Sequence, residues 1–186
     1  MGMIVVDIGC QPQDSEESIY KLCEAYRPTI LYGFDPHPDL VPGVELHEYP
    51  RERPGRRSHA QRQGRAGPTV IVRSRLAAWT NDGFVAYRED GIRSGVVPEF
   101  QSSAVVPCFD LVAWLKTLPM PDVEVILKMD AEGSEFPLLW ALYDSGLDLL
   151  IKEALIEYHP GETANGLFEQ DRPPLRCPVD DWDLHW

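Results

Sequence analysis

"VEVILKMDAEGSEFPLLW", residues 123–140, joins a short apolar run to a stretch whose apolar residues change to helical spacing, and three carboxylates stand around the junction: Asp130, Glu132 and Glu135. The run from Val123 to Met129 reads as a strand buried on both faces. Beyond it Phe136, Leu139, Trp140 and Tyr143 recur at i, i+3, i+4 and i+7, Pro137 falls in a first helical turn, and Gly146 is a helix stop. A buried strand that enters a helix through an acidic turn is half of a βαβ unit, which sets the fold class at α/β.

Working outward, the same pattern repeats. "MIVVDIG", residues 3–9, is a buried strand that ends in Asp7 and Gly9. Asp14 and Glu17 form a capping-box-like start, and Ile19, Leu22, Cys23 and Tyr26 give the helix its apolar side before Pro28 ends it. "TILYGFDP", residues 29–36, is a second strand closed by Asp35. "TVIVRSRLAAW", residues 69–79, reads as a third strand, "GFVAYRED", residues 83–90, as a short hairpin strand, and "CFDLVAWLKTL", residues 108–118, as a helix capped by Asp110. "ALIEYHP", residues 154–160, is a fifth strand after the one at 123–130. Strands alternating with helices predict a mostly parallel sheet with helices on both faces.

One domain is expected over residues 1–186, interrupted at about 50–68 by an Arg/Pro/Gly-rich segment that reads as a mobile surface loop. Seventeen Lys and Arg against thirty Asp and Glu give a formal charge of −13, which argues against nucleic-acid or anionic-membrane partners. No stretch is long and apolar enough to span a bilayer and the first residues do not read as a signal peptide, so the expectation is a soluble cytoplasmic protein. Cys10, Cys23, Cys108 and Cys177 are too scattered for a metal ribbon, and no metal is expected; a magnesium site built on Asp130 and another acid is not demanded by the spacing.

Function is expected where the acids are. In open α/β sheets ligands bind beyond the carboxyl ends of the strands, and Asp7, Asp35 and Asp130 each close a strand there. Asp35 is placed to accept hydrogen bonds from both hydroxyls of a ribose. The first turn, "DIGCQPQD" at residues 7–14, has one glycine where a dinucleotide fingerprint has three, so a phosphate-free nucleoside with a cationic centre, such as S-adenosylmethionine, suits the acidic mouth better than NAD(P).

"VVDIGCQ" (5–11), "LYGFDPHP" (31–38), "LAAWTNDG" (76–83), "VPCFDLVAWL" (106–115), "VILKMDAEGSEFPLL" (125–139) and "ALIEYHP" (154–160) resemble, in order and spacing, the FkbM-like S-adenosylmethionine-dependent methyltransferases. The most specific part, "LKMDAEGSEF", is similar to that family's Ile-Lys-Ile-Asp-Val-Glu-Gly-Ala-Glu signature. The resemblance implies a class I methyltransferase (Rossmann-like) fold, shortened here at both ends into a minimal core or fragment, and methyl transfer to a hydroxyl of a small molecule or sugar. It implies that Asp7, Gly9, Cys10 and Gln11 line the methionine end of the cofactor, that Asp35 holds the ribose beside Pro36 and His37, that Ala78 and Trp79 flank the adenine, and that Asp130 faces the amino group or the acceptor.

For the acceptor's proton the candidates are His159, with an ordinary pKa near 6.5, Asp130 and Glu132. Glu157 reads as a partner either of the same site or of Lys128 on the neighbouring strand. The rival expectations are a methyltransferase-like binding module without turnover and an NAD(P)-dependent oxidoreductase. A sheet that ends at its fifth strand would expose an edge to a second copy of the chain.

Overall fold

Alternating apolar strands build two sheets. The computed structural model describes residues 2–10, 15–48, 67–88, 95–96, 102–120, 122–159 and 172–182, with the backbone alone at 15–17 and 181. In chain order the elements are β1 (Gly2–Ile8), α1 (Ser15–Tyr26), β2 (Ile30–Phe34), β3 (Gly43–His47), β4 (Thr69–Ser74), β5 (Ala77–Trp79), β6 (Gly83–Arg88), β7 (Gly95–Val96), β8 (Ala104–Asp110), α2 (Leu111–Leu115), β9 (Val123–Met129), α3 (Glu135–Ser145), β10 (Ile151–Ile156) and β11 (Val179–Asp181).

The larger sheet has the order β11-β10-β9-β1-β2-β4-β3, with every neighbouring pair parallel except β3 against β4. Strands later in the sequence extend away from β1 in both directions, so the strand order switches between β1 and β9. The smaller sheet, β5-β8-β6-β7, is mixed. The chain is therefore an α/β protein with a mixed arrangement of strands and few helices.

Period two sorts the side chains of β1. Met3 and Val5 pack with Ile19, Leu22 and Cys23 of α1, whereas Ile4, Val6 and Ile8 pack with Leu111 and Leu115 of α2 and Leu138, Leu139 and Leu142 of α3. Helices thus cover both faces, as expected. Each such buried aliphatic side chain contributes about 1.5–3 kcal/mol, so these two layers supply the main drive to fold. At the end of α3, Gly146 takes the left-handed conformation that a helix stop requires, φ 75°, and returns its N–H to the Tyr143 carbonyl.

Several expectations need correction. Residues 69–79 are two strands in different sheets: β4 ends at Ser74, and β5 leaves to pair with β8. Cys108 and Phe109 belong to β8, so the helix beyond spans only Leu111–Leu115, although Asp110 does cap it by accepting from the Ala113 N–H at 2.8 Å. Pro107 lies within β8 opposite Phe84 of β6, whereas the pairing with β5 begins only at Cys108. The edge expected at β10 is covered by β11, which pairs along Ala154 to Ile156. The Arg-rich segment and the Asp14 cap fall outside the described residues, apart from Gly67 and Pro68 at the segment's end.

Among the described residues no helix is long and apolar enough to cross a membrane.

Candidate functional site

The carboxyl ends of β1, β2 and β9 meet in a cleft whose opposite wall comes from β5, β6 and β7. Its lining includes Gly9, Phe34, Asp35, Pro36, Ala78, Tyr87, Val96 and Asp130. Close backbone approach makes the inner wall. Gly9 has φ +79°, its N–H reaches the Phe34 carbonyl at 2.9 Å, and a Cβ there would stand 1.6 Å from the Asp130 carbonyl oxygen. Only glycine fits. On the other wall, a Cβ at Gly95 of β7 would come within 2.6 Å of the Glu132 carbonyl oxygen, so the small sheet packs directly on the loop after β9.

Asp35 follows β2 and is 3% exposed, with Oδ1 accepting the His37 N–H at 2.7 Å. Burial raises its pKa, and the His37 contacts oppose the rise. Of the residues assigned to a cofactor by resemblance, the cleft brings together Gly9, Asp35, Pro36, Ala78 and Asp130. The other assigned side chains go elsewhere. Cys10 is fully buried in the α1-side core, and Trp79 packs on the small-sheet cluster of Ala77, Val85, Val96 and Cys108. Gln11 lies outside the described residues.

Asp7 is likewise fully buried, because its position on β1 shares the α1 face with Met3 and Val5. Its register partner on β9 is Lys128, whose Nζ lies 3.1 Å from Asp7 Oδ1. The pair is ionic in distance, but among the described residues neither Asp7 oxygen makes a well-directed hydrogen bond. Lys128 also donates to the Gly9 carbonyl at 3.2 Å and to Asp130 Oδ2 at 3.4 Å, and it lies under the Trp182 ring. It therefore ties the turn after β1 to the turn after β9. Burial works against its charge, and the Asp7 and Asp130 carboxylates overcome that, so its pKa is raised. Lys128 is thus occupied by Asp7 and Asp130, and the pairing with Glu157 weighed from sequence is not its main contact.

The acidic turn itself is held by Glu135. This side chain is fully buried at the start of α3 and accepts from the N–H groups of Ala131 and Gly133, each at 2.8 Å. Its Oε1 also contacts His159 Nδ1 at 2.9 Å. Glu132, at the tip of the turn, is a non-glycine residue with φ 47°, a conformation that costs of order 1–3 kcal/mol and is retained here by the contacts around it.

Around His159 the carboxylates converge. Nε2 lies 3.6 Å from Glu132 Oε1, 3.6 Å from Glu157 Oε1 and 3.8 Å from Asp130 Oδ1. Burial disfavours the imidazolium, but Glu135, Glu157 and Glu132 outweigh it and push its pKa up to about 11. The carboxylates around it therefore favour the protonated imidazole over the neutral form that the ordinary value near 6.5 would give. Burial raises Asp130 to about 6 against the pull of Lys128, and raises Glu132 to about 7 against that of His159. Glu157 is lowered by its contact with His159.

The sequence reading missed the role of Lys128, the Glu135 latch, and Tyr87 and Val96 in the far wall. Lys128 carries the one available signal: a lysine set inside an apolar strand needs a buried partner. No family model matches the chain, and comparisons with curated proteins and with solved structures return no match.

Proposed function

We propose that the chain is an S-adenosylmethionine-dependent methyltransferase of the FkbM-like kind, acting on a hydroxyl of a small molecule or sugar. One observation carries the reading. A cleft at the carboxyl ends of the strands, beside the switch in strand order, combines a glycine at closest approach, a nearly buried carboxylate at Asp35 and apolar walls from Phe34, Ala78 and Val96. Asp35 suits a ribose diol, and the apolar walls suit a flat heterocycle. A Rossmann-like arrangement of the larger sheet belongs to the same reading.

Methyl transfer from a sulfonium is an in-line displacement, and holding the acceptor oxygen against the methyl carbon supplies about 7–11 kcal/mol. The acceptor's proton needs a receiver at the same end of the sheet. Asp130 and Glu132, whose pKa values burial raises to about 6 and about 7, are the candidate receivers, and the carboxylates that favour protonated His159 make it a weaker one.

Calorimetry with S-adenosylmethionine and S-adenosylhomocysteine on the full chain tests the reading. Saturable binding of both supports it. Binding without methylation of any hydroxylated acceptor points to a binding module, and a thermal shift by NAD(P)H but not by S-adenosylhomocysteine points to an oxidoreductase.

A further inference from the structure

We infer that the aromatic groove between α2 and the ends of β2 and β4 is a binding site for a small organic cation, an ammonium carried on an aromatic or other flat apolar frame. The groove has a volume of about 530 Å³ and is partly open to solvent. Ligand pockets hold roughly 300–1,000 Å³, so a molecule of that class fits. Four aromatic side chains line it: Tyr32 and Phe34 from β2, Phe109 from the end of β8 and Trp114 from α2.

The rings make a corner rather than a stack. Tyr32 and Phe34 are nearly parallel, at 14°, and Trp114 stands across them at 81° and 79°, with ring centroids 5.1 and 5.0 Å away. Phe109 closes on Phe34 at 4.5 Å and on Trp114 at 6.0 Å. Ring pairs at these separations hold one another in place, so the walls are formed before a ligand arrives. Tyr32, Phe109 and Trp114 are nonetheless only half-buried, unlike the aliphatic core beside them. Large apolar rings left partly in water at a concave place still have surface to cover.

The polar groups select a positive charge. Asp82 and Asp110 line the same groove, and among its described lining residues none is basic. Asp82 Oδ1 accepts from the Asp110 N–H at 2.9 Å, and Asp110 Oδ1 accepts from the Ala113 N–H at 2.8 Å. Both carboxylates are thereby oriented through one oxygen, and the second oxygen of each has no hydrogen-bond donor among the described residues. An anion would meet only repulsion here. An ammonium gains twice, from the carboxylates and from the negative faces of the rings.

Phe34 also lines the cleft at the strand ends, so the groove and the cleft share one ring. The site itself stands without the cofactor reading.

The test is titration of the full chain with tryptamine and with benzyltrimethylammonium, followed by ligand-observed NMR, beside tryptophol and indolepropionate as the neutral and anionic counterparts of tryptamine. The expected result is one saturable site per chain that takes tryptamine about tenfold more tightly than either counterpart. Asp82→Asn/Asp110→Asn keeps both Oδ1 acceptors and the helix cap, and should erase that preference. It removes only two negative charges from a chain of formal charge −13, so a general attraction of cations to an acidic protein would persist. Ala113→Phe, which fills the groove from the exposed side of α2, should abolish binding, and Asp35→Ala should leave it unchanged. Sedimentation of the unliganded chain runs alongside. The inference is overturned by no saturable binding of either cation at about 10 mM, by equal affinity for tryptophol, or by a preference kept in the double Asn variant. Undiminished binding in folded Ala113→Phe, or a dimer that Ala113→Phe dissociates, overturns it as well.

Discussion

Replacing Lys128 by Met removes the cation that faces fully buried Asp7 while keeping the length and apolar stem of the side chain. At the observed 3.1 Å, and with an effective dielectric of about 20, the attraction lost is about 5 kcal/mol. The cost of taking both charges out of water offsets part of it in the native protein, but the variant still carries the Asp7 half of that cost. Removing one partner of a buried pair typically costs about 3–5 kcal/mol, a large share of the roughly 5–15 kcal/mol that holds a domain folded. With a urea m-value of about 2 kcal/mol/M, the midpoint should fall by roughly 1.5–2.5 M. Tryptophan fluorescence during urea unfolding, in metal-free buffer, measures this. The double variant Asp7→Asn/Lys128→Met should recover most of the loss, because no uncompensated charge remains. The sign of the pH dependence follows from Asp7, whose folded pKa is raised by burial. A raised carboxyl is a source of stability at low pH that is lost as the pH rises through the folded pKa, so the deficit of Lys128→Met should shrink on acidification. A loss below about 1 kcal/mol, or a double variant no better than the single one, would refute the buried-pair reasoning.

Other perturbations test separate parts of the structure. Gly9→Ala places a Cβ 1.6 Å from the Asp130 carbonyl oxygen at φ +79° and should cost about 2–4 kcal/mol in urea unfolding; Gly146→Ala, at φ +75° with nothing within 4 Å of the new Cβ, should cost only about 1–2 kcal/mol. Glu135→Gln replaces an acceptor-only carboxylate by a group with a single acceptor oxygen, so one of the N–H groups of Ala131 and Gly133 loses its partner, for about 1–3 kcal/mol on the same assay. Asp148 is held below the usual carboxylate range by Arg176. Its stabilisation is present above the unfolded pKa of about 3.9 and is lost as the pH falls through the folded value, so the destabilisation of Asp148→Asn should be full at neutral pH and vanish in acid melts.

The parts of the fold that follow from local pattern were legible. β1, β2, β9 and β10 are apolar runs closed by turn residues, and α1 shows its buried face as a helical repeat; in α3 the expected Phe136 and Leu139 are buried, but Leu138 and Leu142 complete the buried face, and Trp140 and Tyr143 are only half-buried. Of the second sheet only β6 was legible, as the short strand read at 83–90; the rest was not, because β5 pairs with β8 across about thirty residues, and Val105 and Phe84 on the sheet's surface interrupt any simple burial pattern. β11 is three residues whose role is set only by the free edge of β10. In the site, Gly9, Asp35 and Asp130 could be placed from strand ends alone. Asp7 could not, because it is the last position but one of its strand and the pleat turns its side chain toward α1 and Lys128 rather than into the cleft. His159 could be picked out beyond the last apolar run, but the carboxylates that surround it come from three segments, and only the folded chain brings those together.

Cofactor affinity with and without Asp35 tests the proposed function most directly. Isothermal titration of the wild-type chain with S-adenosylmethionine should show saturable binding. Asp35→Ala should weaken it by about one to two powers of ten, since loss of hydrogen bonds to a charged acceptor is worth about 1.5–3 kcal/mol. No binding by the wild-type chain at about millimolar cofactor, or equal affinity in Asp35→Ala, would contradict the assignment of the cleft.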